Sequence, residues 1–338
     1  MKQHLHLLIL LLFALPVEAQ PTLESLLRAV DAAIEDSEQY EKDKMQRITL
    51  IKDGLKVSGL SLEEEYRINL RLYTEYEAYI CDSARHYINR NIELAVRLNN
   101  REWLNESKLK KVHILATSGL YAEGLRLLET INKQHLSDRL LVDYYMAFEN
   151  IYLYYAEYAQ DDEYMPGYLD KMNSYRDSVL MIVPEGSYQY VIVQGPMLIY
   201  HQQPKEAENL LKTYISGVSS DTREYAILTS ILAFTYQNDS QLELQKMCLA
   251  ESAIADIKAV VKENNSLRAL AELLYEEGAI ERANKYMKKS MADASFYNAR
   301  LRNVQASKML PVIDSSYQLE KEMQRRKLQV FLGVISIL

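Results

Sequence analysis

Histidines are the first side chains to test for chemistry, because imidazole ligates metals and exchanges protons near neutral pH. No two histidines after residue 19 lie close together and no HExxH arrangement occurs, so the sequence predicts no metal site. It also contains no glycine-rich phosphate loop and no GxSxG elbow. The six histidines are His4, His6, His86, His113, His135 and His201.

Carboxylates are abundant and include two acidic runs, at residues 63–65 and 161–163. Runs of like charge usually lie on a solvated helix end or face. Nothing in the sequence marks two carboxylates as a glycosidase pair, although such a pair can be recognised only in three dimensions. We therefore expect a protein that is not an enzyme and that uses no cofactor.

Tyrosine is unusually frequent, with 26 residues against 5 phenylalanines and 1 tryptophan. A cluster of them could line a surface for a glycan or a peptide, because tyrosine offers a rigid face and a polar hydroxyl. We favour the alternative, packing between helices, since Tyr145, Tyr152 and Tyr155 recur at helical spacing. The nine between 144 and 175 are Tyr144, Tyr145, Tyr152, Tyr154, Tyr155, Tyr158, Tyr164, Tyr168 and Tyr175.

Two tyrosines of this cluster are candidates for ligand contacts. Tyr154 and Tyr158 are spaced i, i+4 and follow Asn150 by one and two helical turns, so this stripe of the helix is partly polar. We predict Tyr154 and Tyr158 as ligand-binding residues.

The composition predicts helices. Only 10 glycines and 7 prolines occur among 338 residues, too few turn residues for a many-stranded β protein. The formal net charge of −8 makes a nucleic-acid partner a poor expectation for this region. The two cysteines, Cys81 and Cys248, exclude a disulfide framework, and their spacing leaves open whether they pair.

The N-terminal residues resemble a secretory signal. Lys2 precedes an apolar run from Leu7 to Leu15, Pro16 ends it, and Ala19 is a small residue at the cleavage position. Nine apolar residues are too few to span a bilayer, which needs about 20. We predict a signal peptide over 1–19 and an exported protein.

The C-terminal residues 328–338, LQVFLGVISIL, are uncharged and follow Arg325, Arg326 and Lys327. We interpret them as the start of a truncated transmembrane helix; the alternative is an apolar helix packed on the last repeat. Export would place the basic cluster outside the cytoplasm, against the positive-inside tendency.

The middle of the chain predicts an all-α fold. Apolar residues recur at i, i+3, i+4 and i+7, and the unit at 266–290 matches a tetratricopeptide repeat (TPR) position by position. Two helices cross closely only where side chains are small, and weaker copies of the unit carry small residues at the same places. The predicted repeat-packing residues are Gly119, Gly124, Gly195, Ala207, Ala233, Leu270, Ala271, Gly278 and Ala283.

We therefore predict a TPR-like α-solenoid of five to six helical hairpins over residues 20–293. A long connecting helix over 294–327 follows, interrupted near Pro311, and leads into the partial membrane segment at 328–338. Such solenoids leave a concave face for partners.

Three stretches, 79–98, 138–158 and 266–314, resemble a family of bacterial periplasmic TPR membrane regulators of Gram-negative gut anaerobes. In the last stretch, Phe296-Tyr297-Asn298-Ala299-Arg300 and Leu310-Pro311 resemble the family signature. The resemblance implies a signal peptide, periplasmic helical repeats and one transmembrane helix, then a cytoplasmic coiled coil and helix-turn-helix, which this chain lacks. The family has no established ligand, so no binding residue is carried over.

From these observations we expect the periplasmic sensor region of an inner-membrane signalling protein, which by resemblance is a transcriptional regulator. Its partner would be an unidentified periplasmic ligand or protein, and a homodimer is possible. The alternative is an envelope scaffold or glycan-binding accessory protein without a signalling role.

Overall fold

The computed structural model describes residues 21–238 and 241–337, and these form helices and short connections without any strand. The predicted signal peptide at 1–19 lies outside the described residues. Two short 3₁₀ turns, Gly54–Lys56 and Lys133–His135, lie between helices. The helices are α1 Leu23–Glu35, α2 Ser37–Asp53, α3 Leu62–Tyr76, α4 Cys81–Arg97, α5 Arg101–Thr117, α6 Tyr121–Glu129, α7 Asp138–Ala159, α8 Met165–Leu180, α9 Tyr188–Tyr200, α10 Pro204–Ile215, α11 Arg223–Asn238, α12 Leu242–Ala259, α13 Ser266–Glu276, α14 Ile280–Tyr297 and α15 Arg300–Ile337.

Successive helices pack as hairpins, and each hairpin packs on the next. The described residues form seven such pairs before α15, against the five to six expected. Two of these pairs have short connections: α1 and α2 are separated by Asp36 alone, and α3 leads to α4 through residues 77–80. The all-α solenoid itself is as predicted.

Small residues occupy the helix crossings. Ala207, Ala271 and Ala283 are fully buried. A Cβ added at Gly124 would lie 3.0 Å from Ile151 of the next hairpin, and one at Gly195 would lie 3.4 Å from Leu211. The helices approach so closely at these points that larger side chains would push them apart.

The solenoid winds far enough for its first helix to meet its last hairpin. Helix α1 packs against α12, and its buried residues Leu27, Val30 and Ala33 belong to the same core cluster as Tyr286 of α14. The Tyr286 hydroxyl donates to the Leu27 carbonyl over 3.0 Å. Farther along α14, the Tyr297 hydroxyl donates to the Glu77 carbonyl at 2.6 Å. The two ends of the repeat array are thus joined around an interior space.

The last helix differs from expectation at two points. Helix α14 continues to Tyr297 and ends where Asn298 adopts a left-handed conformation, φ 72°, so the connecting helix begins at Arg300 rather than at 294. The predicted interruption near Pro311 is wrong, because α15 is helical through this residue. Proline removes the hydrogen bond to the Ser307 carbonyl, but Ser307 and Pro311 are both exposed, and water can solvate the freed group.

Within the described residues, no helix combines the length and apolar character that crossing a membrane requires. The structure therefore gives no support to a partial membrane span at 328–338. The apolar side chains from Leu328 to Ile335, among them Phe331 and Val334, are more than half exposed, which does not fit packing on the last repeat.

The two cysteines are both buried and unpaired. The Cys81 thiol lies 2.9 Å from the Ser118 hydroxyl, whereas Cys248 belongs to the core cluster of α12 and its neighbours. Burial raises the pKa of both thiols, which keeps them protonated and unreactive.

Replacing Tyr286 with phenylalanine tests the closure of the array. We expect Tyr286→Phe to lower the free energy of unfolding by about 1 kcal/mol, because the hydrogen bond between α14 and α1 is lost inside the core. Urea denaturation measures the change, and Tyr164→Phe is the control, since Tyr164 is 57% exposed. Equal urea midpoints for the two variants would contradict this account of the closure.

Candidate functional site

The interior of the closed array contains a cavity of two adjoining compartments, with volumes of about 610 Å³ and 520 Å³. They share His113, Met146, Asn150 and Arg223 in their walls, so one space runs between α5, α7 and α11. The larger compartment has an apolar side on α9 and α11. Its main side chains are Ile192, Pro196, Ile199, Ile227, Ile231 and Phe234.

Arg223 joins three distant parts of the wall. Its guanidinium group lies 3.1 Å from the Glu77 carboxylate, at the end of α3, and 2.9 Å from that of Glu263, between α12 and α13. Burial opposes the charge on Arg223, but Glu263 and Glu77 outweigh it and raise the pKa further. This triad fixes the cavity wall where the two compartments meet.

Two further arginines are each paired with a carboxylate. Arg302, in the first turn of α15, lies 2.7 Å from Glu157 of α7 and 5.7 Å from the centre of the Tyr154 ring. Arg176 of α8 lies 2.7 Å from Glu149 of α7, with both side chains over 90% buried. Burial raises the pKa of Glu149, and the charge of Arg176 opposes that shift. Both pairs tie neighbouring parts of the wall together.

Asp256 is the exception among the acids of the larger compartment. Its residue is 7% exposed, and within the described residues its carboxylate accepts no hydrogen bond and pairs with no cation. Burial raises the pKa of Asp256 from 3.8 to about 8, against the opposing charge of Arg223 and with a small contribution from Glu263. Asp256 is therefore largely a neutral carboxylic acid near pH 7.

Asn264 also presents an acceptor without a partner. It is 8% exposed, its amide nitrogen donates to the Val261 carbonyl at 3.1 Å, and its Oδ1 atom has no partner. A buried oxygen of this kind costs free energy unless a ligand or water satisfies it. His113 lies in the same wall, and burial lowers its pKa, which favours the neutral imidazole.

The connection between α12 and α13 positions Glu263 and Asn264. It begins at Val260 in the left-handed region, φ 58°, which is unfavourable for a β-branched residue by roughly 1–3 kcal/mol. Lys262 holds it from behind: its amide donates to the Ala78 carbonyl at 2.7 Å, and its ammonium group lies 2.8 Å from Asp293. This connection, residues 260–265, is called the cavity loop below.

The predicted ligand residues separate in the structure. Tyr154 lines the larger compartment beside Arg302, whereas Tyr158 is 59% exposed and does not line the cavity. Most other tyrosines of the cluster stack on one another. The ring centre of Tyr175, for example, lies 5.9 Å from that of Tyr152, and the two rings are nearly parallel. Their faces are occupied by packing, the interpretation favoured from spacing.

The predicted repeat-packing residues lie at turns and crossings. Gly119 and Gly278 have φ of 74° and 85° and form the turns after α5 and α13. Gly124 and Gly195 lie where neighbouring helices approach. The remaining five, Ala207, Ala233, Leu270, Ala271 and Ala283, are buried.

Sequence reasoning missed the polar residues of the cavity: Arg223, Asp256, Glu263, Asn264 and Arg302. Each looks like an ordinary surface residue in its own helix or turn. One signal was available, since Asp256 stands in the otherwise apolar or small run Ala253-Ile254-Ala255, and a lone acid on such a face is unusual.

Residues 34–308, most of the chain, match the family model described as the SusR N-terminal TPR domain. The chain belongs to this family. The match confirms the TPR-type regulator family that the resemblance indicated, and TPR domains are typically binding or scaffold domains. The cytoplasmic part of the family and its gut-anaerobe source stay predictions.

Two solved structures match this chain at low similarity and carry no argument. The crystal structure of the APC/C hetero-tetramer Cut9-Hcn1 matches at 12% identity and a TM-score of 0.46, over 88% of this chain and 49% of that one. The SusR-type chain thus spans about half the length of that protein. A structure from the computational design of self-assembling cyclic homooligomers matches at 12% identity and a TM-score of 0.14, over 87% and 99%. A comparison with curated proteins gives no match.

The pKa of Asp256 predicts how stability depends on pH in this SusR-type domain. Between pH 5 and 8 the folded protein keeps the proton that the unfolded chain has lost, so rising pH disfavours the fold until the pKa of about 8 is passed. Asparagine cannot titrate. The stability of Asp256→Asn relative to the parent should therefore rise by about 1 kcal/mol per pH unit across this window.

Thermal or urea unfolding at several pH values measures the difference. Asp177→Asn is the control, because Asp177 is an exposed residue of α8. A pH-independent difference for Asp256→Asn would show that this carboxyl is ionised in the folded protein.

Proposed function

We propose that this SusR-type TPR domain is the ligand-binding sensor region of a membrane-anchored signalling protein, and that its interior cavity binds a small polar ligand. The supporting observation is the cavity itself, which combines buried acceptors lacking partners, fixed charges and an apolar wall. Ligand sites are concave, are lined largely by apolar groups and hold a few convergent polar groups.

The unpartnered acceptors set the chemistry of the ligand. Asn264 Oδ1 needs a hydrogen-bond donor, and the Asp256 carboxyl group, which is protonated near pH 7, can both donate and accept, whereas the arginines are already engaged with acids. A small molecule that carries hydroxyl or amino groups meets this requirement better than an anion does. The apolar side chains of α9 and α11 can cover its carbon skeleton.

The signalling role is supported by the contact of α15 with the cavity. Arg302 in the first turn of α15 lines the larger compartment, and the same helix extends to Ile337. A ligand that contacts Arg302 or Glu157 with different affinity in two arrangements of α15 would shift their populations. A transcriptional output through a segment beyond α15 is part of the proposal and rests on the family.

The location is likewise proposed. Export rests on the signal-like residues 1–19, and attachment to the inner membrane rests on the exposed apolar side chains after the basic residues 325–327. The repeat domain would then lie in the periplasm.

Blocking the cavity tests ligand binding. Candidate sugars, amino sugars, amino alcohols and amino acids are added singly, and the melting temperature is measured, because a ligand that binds only the folded state raises it. We expect at least one compound to do so. Ser230→Trp, which fills the larger compartment, should abolish that shift.

Ser174→Trp is the matched control on the exposed side of α8, and it should preserve the shift. A shift that survives Ser230→Trp would place binding outside the cavity. A set in which no compound shifts the melting temperature would contradict a small polar ligand of these classes.

Membrane attachment is tested by fractionation of cells that express the whole chain. We expect the protein in the membrane fraction. Replacing Leu328, Phe331 and Val334 with glutamate should release it, because charged side chains oppose burial in lipid. Leu319→Glu with Met323→Glu, also at exposed positions of α15, is the control that should stay bound. Release of both variants, or of neither, would contradict attachment through 328–338.

A further inference from the structure

The acids of the larger compartment outnumber its guanidinium groups. Four carboxyl groups and three guanidinium groups line it, and each guanidinium group is paired within 2.9 Å of an acid. Asp256 is the carboxyl group left without a cation. The pairs are Arg176–Glu149, Arg302–Glu157 and Arg223–Glu263.

Asp256 and Asn264 are held on the same turn of the wall. The Val261 amide donates to the Asp256 backbone carbonyl at 2.9 Å, and the Val261 carbonyl accepts from the Asn264 side chain at 3.1 Å. Both residues are more than nine-tenths buried and line the compartment, and the Asn264 oxygen has no partner. The wall thus holds one amide oxygen without a hydrogen-bond donor and one acid without a cation.

We infer that Asp256 and Asn264 form a subsite for a protonated amino group, so that the ligand is an amine rather than a neutral polyol. The inference rests on the proposed ligand-binding function of the cavity and names the chemical class of its ligand. An ammonium group supplies three donors and a positive charge, which is the partner that Asp256 lacks once it is ionised.

Binding of an ammonium group changes the protonation of the subsite. In the free protein, burial raises the pKa of Asp256 to about 8, so the carboxyl group carries a proton at neutral pH. When an ammonium group arrives, that proton leaves to solvent and the carboxylate pairs with the cation, so the charge of the complex stays balanced. A hydroxyl group would leave the proton in place.

The groups around Asp256 allow this exchange. Arg223 of α11 and Glu263 of the cavity loop act on it with opposite signs, and they are paired with each other. His113 of α5 lies in the same cavity with its pKa lowered by burial. In the helices packed on α12, Lys44 of α2 contacts Glu75 and the Ala259 carbonyl. The acids of α1 pair with α14, and α13 adds the neutral Ser266 to the wall.

A matched pair of probes tests the inference: aminocyclohexanol and cyclohexanediol, which differ only in one amino group. Affinity is measured by calorimetry from pH 6 to 8. We expect the amine to bind at least about tenfold more tightly at pH 8 and to gain up to about tenfold per pH unit, because one proton must leave Asp256. The diol should show no such dependence.

Asp256→Asn should remove both the preference for the amine and its pH dependence, while Asp177→Asn, at an exposed position of α8, should keep both. An amine that binds no better than the diol at pH 8, or that does not bind at all, overturns the inference. So does a preference that survives Asp256→Asn. The cavity as a ligand site is judged separately by Ser230→Trp, so failure here leaves that result intact.

Discussion

The interior of this domain depends on one partly buried ionic group, in which Arg223 pairs with both Glu77 and Glu263. Arg223 and Glu77 are 146 residues apart in sequence, so this group forms only after the array has wound back on itself. Removing Arg223 would leave two acids without their shared cation, and removing either acid would leave Arg223 with one partner instead of two. The cavity wall therefore forms only when the whole array closes, so a change that opens the array also disrupts the cavity.

The same triad connects the cavity to the outside of the array through the cavity loop. Glu263 and Asn264 line the cavity. The residue before them, Lys262, binds Asp293 of α14. The left-handed Val260 stores strain that the flanking contacts must hold, since nothing in a valine side chain favours that conformation. A change in the contacts of Glu263 would thus alter the position of Lys262 and its contact with α14.

The repeat could be predicted from sequence because its determinants are local. Within one hairpin, small residues such as Ala271 and Ala283 lie at a fixed spacing around the glycine turn at 278. The hairpin is the repeating unit of the fold. The cavity could not be predicted, because its residues come from many hairpins and are brought together only when the array winds. Tyr154 and Tyr158 were predicted together from a polar stripe on one helix, but only Tyr154 lines the larger compartment, and Tyr158 is 59% exposed. Asp256 is recognisable in the sequence as a lone acid in an apolar run, but only the structure shows that no cation of the described residues pairs with it.

Two sets of contacts connect the cavity wall to the same pair of helices, α14 and α15. Arg302 belongs to α15, and the Lys262 contact ends on Asp293 of α14. Helices α14 and α15 pack on each other, and Leu301, Ala306 and Ile313 of α15 are buried. Helix α15 has 38 residues, which at about 1.5 Å per residue makes it roughly 57 Å long. A tilt of a few degrees at Arg302 would therefore displace its far end by several ångströms, and in the proposed sensor this pair is the element best placed to report whether the cavity is occupied.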